Sequence, residues 1–311
     1  MRIAVFGTGG VGGYFGGRLA LAGEDVVFIA RGAHLDAMRA NGLRVESFVG
    51  DFVLESVYVT DEPRQIGFVD VILVAVKAWQ VQDAARMMAP MMGADTFIVP
   101  LCNGVDAPQQ IGQAVGEEHV LGCICRISSH IVAPAHIRHD GVDPYVAFGE
   151  LDGRKSARAE SLLQIFLNSG INAEIPDNIQ VTMWQKFIFI TAISGLGAVA
   201  RVPVGVLREI PETRQLLADV MQETRKVAQA KGVDLPPDVV EKTVGFVDRL
   251  QPTVIASMQR DIQAGRPSEL ESQNGAVVRM GKETNIPTPL NEFIYYSLLP
   301  QELLARGRLT R

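Results

Sequence analysis

The segment Arg2-Ile-Ala-Val-Phe-Gly-Thr-Gly-Gly-Val-Gly12 is the strongest indication of fold in this chain. Its apolar start predicts a buried strand, and the pattern that follows it predicts a helix. In the G-x-G-x-x-G spacing, Gly7 permits a tight turn, Gly9 lets the backbone approach a diphosphate, and Gly12 allows close packing of helix on strand. The first N–H groups of the helix favour negative charge. With a second strand at 25–30, the sequence predicts a dinucleotide-binding βαβ unit.

The end of the second predicted strand indicates which dinucleotide is bound. In units that bind NAD, an Asp or Glu near this point accepts hydrogen bonds from the ribose hydroxyls. Here Arg31 stands at that place, and the nearest acids, Glu24 and Asp25, lie at the opposite end of the strand. A guanidinium suits a 2′-phosphate through charge-assisted hydrogen bonds. We therefore predict NADP(H) rather than NAD(H), although a solvated surface arginine would explain the same residue.

Composition limits the class of protein. The 311-residue length is enough for two domains, and a hydrophobic content of 47% supports sizeable cores. The formal net charge of −6 argues against a nucleic-acid-binding surface, which needs a basic stripe. The longest uncharged apolar stretch, 187–200, is too short to cross a bilayer, so we expect a buried helix there. The chain shows no signal segment before its first strand, and we expect a cytoplasmic location without a membrane partner.

The three cysteines show no disulfide framework. Cys123 and Cys125 point to the same face of an apparent strand, and no neighbouring residue completes a metal site. Together with Cys102, they are expected to be reduced core residues, and no metal site is predicted.

Strands and helices alternate in the first half, as a mostly parallel sheet requires. Strands are predicted at 3–6, 25–30, 57–59, 69–76, 97–101, 120–124, 135–138 and 145–148, with a hairpin of 43–45 and 52–54 and helices near 34–40 and 77–92. The later helices are predicted at 178–199, 211–231, 236–249, 253–264 and 289–304, and a capping box at Ser268-Glu-Leu-Glu271 predicts another. The predicted fold is therefore α/β, with a Rossmann-type NADP-binding domain over 1–175 and an all-helical substrate and catalytic domain over 176–311.

Nicotinamide chemistry needs a group that exchanges a proton with the substrate oxygen. His130, His136 and His139 are clustered, but no paired carboxylate is evident, and a solvated strand edge would explain them. Lys186 follows Trp184 on an otherwise apolar predicted helix. It either snorkels to water or faces an interdomain cleft, where it would be partly desolvated.

Several separated motifs occur in a recognisable order. Lys77-Ala-Trp-Gln80 directly follows a buried strand, and Asn103-Gly104 follows the next one. Trp184-x-Lys186 opens the helical half, and Ser257 precedes Ser268-Glu-Leu-Glu-x-x-Asn-Gly275. In this combination, over essentially its whole length, the chain resembles the ketopantoate reductase (2-dehydropantoate 2-reductase) family.

The resemblance implies NADPH-dependent reduction of a 2-oxo acid, such as ketopantoate, to the 2-hydroxy acid. It implies that Lys186 donates the proton to the keto oxygen and that Glu269 orients the lysine, the substrate or the cofactor. It also implies that Asn103 contacts the substrate and that Ser257 binds the substrate carboxylate. The residues implied to hold the cofactor are Gly7, Gly9, Gly10, Val11, Gly12, Arg31, Lys77, Asn103 and Glu269.

Each implied residue also has an ordinary structural explanation. Glu269 would suit any helix N-terminus, and Asn103-Gly104 is common in turns. Ser257 would fit a helix surface, and Lys77 a helix start without a ligand. Because the motifs occur as an ordered set, the functional interpretation is preferred.

The chain departs from the family pattern on the helix that carries Lys186. Ile190 and Ser194 share the face of Lys186, one and two turns further along. With Val204, they replace asparagines that family members acting on ketopantoate commonly carry. We predict that Ile190 and Ser194 line a more apolar substrate site, which favours a related 2-oxo acid.

Two alternative functions and the oligomeric state stay open at this point. A non-catalytic NADP(H)-binding sensor would need the glycine turn but not Lys186. A hydroxyacid dehydrogenase working in the oxidising direction would use the same lysine as a base. The apolar helices of the second half are also compatible with a homodimer.

Overall fold

The computed structural model describes residues 1–310 and contains two compact units. The first unit consists of Met1–Asn103 and Ala107–Gln180, and the second consists of Gly104–Asp106 with the chain from Val181 onward. Within the described residues, every strand belongs to the first unit and the second unit is helical. The predicted fold class, a mostly parallel sheet followed by a helical region, is confirmed.

The strands are β1 (Arg2–Phe6), β2 (Asp25–Ile29), β3 (Leu43–Ser47), β4 (Phe52–Leu54), β5 (Tyr58–Thr60), β6 (Val69–Val74), β7 (Met92–Pro100), β8 (Leu121–Arg126), β9 (Ser129–Ala133), β10 (His136–His139), β11 (Tyr145–Glu150) and β12 (Asn172–Glu174). The first helices are α1 (Gly10–Leu21), α2 (Gly32–Asn41), α3 (Val81–Met88), α4 (Ala107–Val115) and α5 (Ala157–Asn168). The later helices are α6 (Ile179–Ala200), α7 (Val204–Glu209), α8 (Pro211–Ala230), α9 (Val239–Arg249), α10 (Ser257–Gln263), α11 (Asn274–Thr284) and α12 (Pro289–Ala305).

A five-stranded parallel sheet forms the centre of the first unit, in the order β5-β2-β1-β6-β7. Alternate residues of β1 enter two different cores: Ile3 and Val5 pack with α1, whereas Ala4 and Phe6 pack with α3 and α4. Burial on both faces explains why these strands are continuous apolar runs. The strand order reverses between β1 and β6, which creates the switch point where open α/β sheets bind ligands.

Two smaller sheets complete the first unit. One has the order β4-β3-β10-β9 and the other the order β12-β11-β8. The predicted hairpin is confirmed, because β3 and β4 pair antiparallel. Cys102, Cys123 and Cys125 are buried, as predicted for core residues.

Helix α6 supplies much of the core of the second unit. Trp184 and Phe187 are buried with their rings 5.5 Å apart and nearly perpendicular. By length and composition alone, this 22-residue helix could cross a membrane, but 67% of its most apolar window is buried inside the protein. The prediction of a buried helix is therefore confirmed, and its bounds lie within one residue of the predicted range 178–199.

The predicted solvated strand edge is wrong for His139, which is 1% exposed. Its Nδ1 accepts a hydrogen bond from Ser47 Oγ at 2.8 Å, and its Nε2 donates to the carbonyl of Val142 at 2.8 Å. The ring also contacts those of Tyr14 and Phe48. This imidazole is a core residue whose two nitrogens are both bonded.

The other two clustered histidines have carboxylate neighbours that sequence spacing did not reveal. His136 Nε2 lies 3.1 Å from Glu46, which belongs to β3, and His130 Nδ1 lies 3.8 Å from Asp140. The pairing of β10 with β3 brings Glu46 next to His136 across a long stretch of sequence.

The helix predicted to open at Ser268 begins six residues later, at Asn274. Ser268 Oγ accepts the N–H of Leu270, two residues on, and donates to Glu302 in α12. The serine therefore forms a turn bonded to another helix, and the capping-box prediction is wrong.

Candidate functional site

Four of the predicted segments lie at one edge of the parallel sheet. The Gly7–Gly12 loop follows β1, Arg31 follows β2, Lys77 follows β6, and Asn103 follows β7. Because all these strands are parallel, their carboxyl ends meet at the same edge. The structure thus brings together the predicted cofactor-binding residues of the first unit.

The glycine loop has the geometry that a bound diphosphate requires. Gly7 has a φ of +98°, and a Cβ there would lie 2.8 Å from Val76 Cγ1. A Cβ on Gly12 would lie 2.1 Å from the Gly7 carbonyl oxygen, so this contact between helix and strand needs glycine. At Gly9 no atom lies within 4 Å of the Cβ position, which leaves open space beside the backbone.

The N-terminus of α1 supplies hydrogen-bond donors at this loop. The helix begins at Gly10, so the N–H groups of Gly10, Val11 and Gly12 have no carbonyl within the helix to bond. These donors and the helix dipole favour a phosphate group. The loop residues therefore fit the pyrophosphate of a dinucleotide.

Gly10 has a packing role that the sequence did not reveal. A Cβ at this position would lie 2.4 Å from the carbonyl oxygen of Ser129, at the start of β9. This strand was not predicted, and its backbone covers one side of the first turn of α1. Glycine is required at position 10 for this contact, whatever its N–H group binds.

Arg31 is exposed and immediately precedes α2. Its Nη2 lies 3.2 Å from the sulfur of Met87 in α3. Among residues 1–310, no carboxylate pairs with this guanidinium, which stands beyond the end of β2, where the ribose of a dinucleotide is recognised in this fold.

His34 is a neighbour of the glycine loop that sequence reasoning missed. Its Nδ1 accepts the backbone N–H of Ala135 at 3.1 Å. Burial lowers the pKa of His34, with a smaller opposing effect from the backbone of Thr8. The imidazole is therefore neutral near pH 7 and links α2 to the turn between β9 and β10.

Lys77 and Asn103 lie at the ends of adjacent strands. Lys77 is exposed, its backbone N–H donates to Gln80 Oε1 at 3.2 Å, and its Nζ lies 5.8 Å from the centre of the Trp79 ring. Asn103 is half-buried. The preceding Cys102 donates through Sγ to the carbonyls of Val74 and Val76, which fixes the end of β7 against β6.

Within the second unit, α6 carries three of the predicted residues. Lys186 and Ile190 are half-buried, and Ser194 is only 2% exposed. Half-burial of Lys186 is compatible both with snorkelling and with a functional position. Trp184 and Phe187, which lie just before and just after Lys186 in the sequence, are buried and pack this part of α6 into the core of the second unit.

The remaining predicted residues have contrasting environments. Glu269 is 5% exposed, and its Oε2 accepts a hydrogen bond from Gln273 Nε2 at 3.5 Å. Ser257 is exposed at the first residue of α10. Val204 is buried at the start of α7, and its N–H donates to the carbonyl of Val254. Gln273 was not singled out from the sequence, although its position four residues after Glu269 could have indicated a helical-turn contact.

The parallel sheet, its switch point and the glycine loop define a Rossmann-type dinucleotide-binding protein. The family model described as "Ketopantoate reductase PanE/ApbA" matches residues 3–153, and its C-terminal counterpart matches residues 178–302. The chain belongs to this family.

Relatives of the same family cover nearly the whole chain. An uncharacterised oxidoreductase, YkpB, from Bacillus subtilis is 28% identical over 96% of this chain and 98% of its own length. A 2-dehydropantoate 2-reductase from Mesorhizobium japonicum is 29% identical over 93% of this chain and 94% of its own. The solved structure of a PanE/ApbA family ketopantoate reductase from Ralstonia eutropha matches with a TM-score of 0.89, 30% identity, and coverage of 98% and 100% of the two chains.

A second kind of enzyme shares this fold. The structure of a D-mandelate dehydrogenase in complex with NADH matches with a TM-score of 0.85 and 25% identity, covering 97% of this chain and 99% of that one. The fold is therefore found with more than one hydroxy-acid substrate.

Proposed function

We propose that this oxidoreductase uses NADPH to reduce a small 2-oxo acid to the corresponding 2-hydroxy acid. The observation that carries the proposal is the convergence of the Gly7–Gly12 loop, Arg31, Lys77 and Asn103 at the switch-point edge of the parallel sheet. Family membership supports the reaction class.

The proposed cofactor site consists of backbone and two cations. The open space at Gly9 and the first N–H groups of α1 would receive the pyrophosphate. Arg31 would bind the 2′-phosphate and Lys77 the ribose, which is the basis for proposing NADPH. Glu269 and Asn103 would contact the nicotinamide end.

The proposed chemistry adds a hydride to the carbonyl carbon and a proton to the carbonyl oxygen. The nicotinamide cofactor supplies the hydride when it is bound. Lys186 would hold its ammonium at the keto oxygen and give it a proton as negative charge develops, and a cation at that place stabilises the transition state. Glu269 would orient Lys186, and Ser257 would bind the substrate carboxylate.

The proposed substrate is a 2-oxo acid with an apolar side chain. Ile190, one turn after Lys186, is half-buried and offers no hydrogen bond to a substrate hydroxyl. A site that hydrogen-bonds a substrate hydroxyl strongly rejects analogues that have no hydroxyl, and an apolar side chain cannot provide this selectivity. Ketopantoate is thus one member of the substrate class to test.

A specific observation favours a second candidate, a 2-hydroxy-acid dehydrogenase that uses NADH. The similarity to a D-mandelate dehydrogenase structure that contains NADH extends over 97% of the chain. In this case Lys186 would accept the proton of the substrate's hydroxyl group, and Arg31 would have no 2′-phosphate to bind.

One assay separates the proposals. The protein is mixed with NADPH or NADH and with ketopantoate, a branched aliphatic or an aromatic 2-oxo acid, and cofactor absorbance is followed. Turnover of an apolar 2-oxo acid with a preference for NADPH supports the first proposal. A preference for NADH with an aromatic substrate supports the second, and cofactor binding without any turnover contradicts both and favours a sensor.

A further inference from the structure

Glu269 is located in a turn whose position depends on other parts of the second unit. Residues 268–273 precede α11 and belong to no long helix or strand. Within the turn, the N–H of Gln273 donates to the carbonyl of Glu269 at 3.0 Å, and Ser272 Oγ donates to the same oxygen at 3.1 Å. These local bonds shape the turn, but they do not fix it to the rest of the unit.

Two residues of the α12 region bind every polar group of Ser268, the residue directly before Glu269. The N–H of Ser268 donates to the carboxylate of Glu302, 3.0 Å from Oε2, and its hydroxyl donates to the same oxygen at 2.5 Å. Its carbonyl accepts a hydrogen bond from Arg306 Nη2 at 2.9 Å. Arg306 Nε in turn donates to Glu302 Oε1 at 2.6 Å. We call Ser268, Glu302 and Arg306 the Ser268 clamp.

Two of the three clamp residues are buried and Arg306 is half-buried, so the bonds of the clamp hold the turn firmly. Ser268 is 0% exposed and Glu302 is 4% exposed. Hydrogen bonds to ionised groups are shorter and stronger than neutral ones, and removing one partner in a buried site leaves the other unsatisfied. The Ser268 carbonyl belongs to the planar peptide group that joins Ser268 to Glu269, and Ser268 Oγ also accepts the N–H of Leu270, so the Glu269 backbone is held on both sides.

We propose that Glu302 is a positioning residue for Glu269. The carboxylate of Glu302 bonds Ser268 and Arg306 and acts on the reaction only through the place it gives to Glu269. The inference rests on the proposed function, in which Glu269 orients the proton donor. A displacement of about 1 Å at a reacting group can lower a rate by roughly 10²-fold, so a loose turn would be visible in kinetics.

The test is a double-mutant cycle of Glu302→Gln and Glu269→Gln, measured as kcat/KM for the 2-oxo acid across a range of pH. Glutamine keeps the size of Glu302 but replaces one of its two acceptor oxygens by an NH2 group, which cannot accept from Ser268 on one side or from Arg306 Nε on the other. We expect Glu302→Gln to lower kcat/KM by about 10-fold to 100-fold. It should also change the pH profile in the same way as Glu269→Gln. The double variant should be no slower than Glu269→Gln alone, because the clamp acts through that side chain.

Glu223→Gln is the matched control. Glu223 is 8% exposed and accepts the N–H groups of Leu290 and Asn291 and the side-chain amide of Asn291, at the opposite end of α12. It should lower the melting temperature to a similar degree and leave kcat/KM and its pH profile unchanged. An equal loss of kcat/KM in Glu223→Gln would overturn the inference, since the effect would then be general destabilisation.

The outcomes also separate this inference from the proposed function. If Glu269→Gln is impaired but Glu302→Gln is fully active, or if their effects multiply, the positioning role is wrong and the role of Glu269 stands. If Glu269→Gln is fully active, the proposed role of Glu269 fails, and the inference about Glu302 fails with it.

Discussion

Replacing Arg31 by alanine should weaken the use of NADPH and leave the use of NADH almost unchanged. Arg31 is exposed just beyond β2, and its guanidinium contacts the sulfur of Met87. A hydrogen bond to a charged group contributes about 1.5–3 kcal/mol, and solvent exposure places this one near the lower limit. Because 1.4 kcal/mol corresponds to a factor of ten, KM for NADPH should rise roughly 10-fold to 30-fold.

The assay measures KM for each cofactor at saturating 2-oxo acid in wild type, Arg31→Ala and Arg39→Ala. Arg39 is the matched control, since it is exposed on α2, the helix that Arg31 immediately precedes, but pairs with Asp61 at 3.4 Å. The effect of Arg31→Ala should shrink at high salt, because screening weakens an exposed contact with phosphate. Equal losses for NADPH and NADH, or an equal effect of Arg39→Ala, would refute the assignment of the 2′-phosphate to Arg31.

Three further predictions follow from the two units. Lys186→Ala should lower kcat by about 10²-fold to 10⁴-fold with little change in NADPH affinity, and an unchanged kcat in stopped-flow assays would exclude proton donation. Gly9→Ala should keep the melting temperature but weaken NADPH binding, because its Cβ enters open space. Gly12→Ala should lower the melting temperature, because its Cβ meets the Gly7 carbonyl. The reverse pattern in calorimetry would contradict the loop geometry. The pKa of His34 in the folded state lies below its ordinary value of 6.5, so the unfolded chain binds the proton first as the pH falls. The stability that His34 contributes is therefore present above about pH 6.5 and is lost as the pH falls through the folded-state pKa. His34→Gln should reduce the fall in melting temperature between pH 7.5 and 5.5, and an unchanged fall would show that His34 is not its source.

The candidate cofactor site of the first unit was predictable because it depends on local sequence and topology. A strand, the spaced glycines and a helix occur within 21 residues, and the parallel pairing of β1 with β2 then brings Arg31 to the same edge. Lys77 and Asn103 are found there for the same reason, since each directly follows a parallel strand. Periodicity and motif spacing therefore contain most of the information needed to place these residues at one edge of the sheet.

Other features were not predictable because their partners are far away in sequence. The backbone of Ser129 packs on Gly10, and nothing near Gly10 indicates this contact. Ser268 has the sequence of a helix cap, but the carboxylate of Glu302, 34 residues later, bonds its hydroxyl instead. His139 was taken for a surface residue because the partner Ser47, on β3, is 92 residues away.

The same contrast explains how one fold serves several hydroxy acids. In the first unit, the glycine loop of the proposed cofactor site is tightly packed at Gly7 and Gly12, so a side chain at either position would displace neighbouring atoms. In the second unit, the proposed substrate contacts are side chains on α6, whose position is set by the buried Trp184 and Phe187. Position 190 is only half-buried, so replacing Ile190 by an amide would change the group that α6 offers to the proposed substrate without moving the helix. Under the proposed function, substrate preference can therefore change while the parallel sheet and its glycine loop are kept, and the structures similar to this chain include both a ketopantoate reductase and a D-mandelate dehydrogenase.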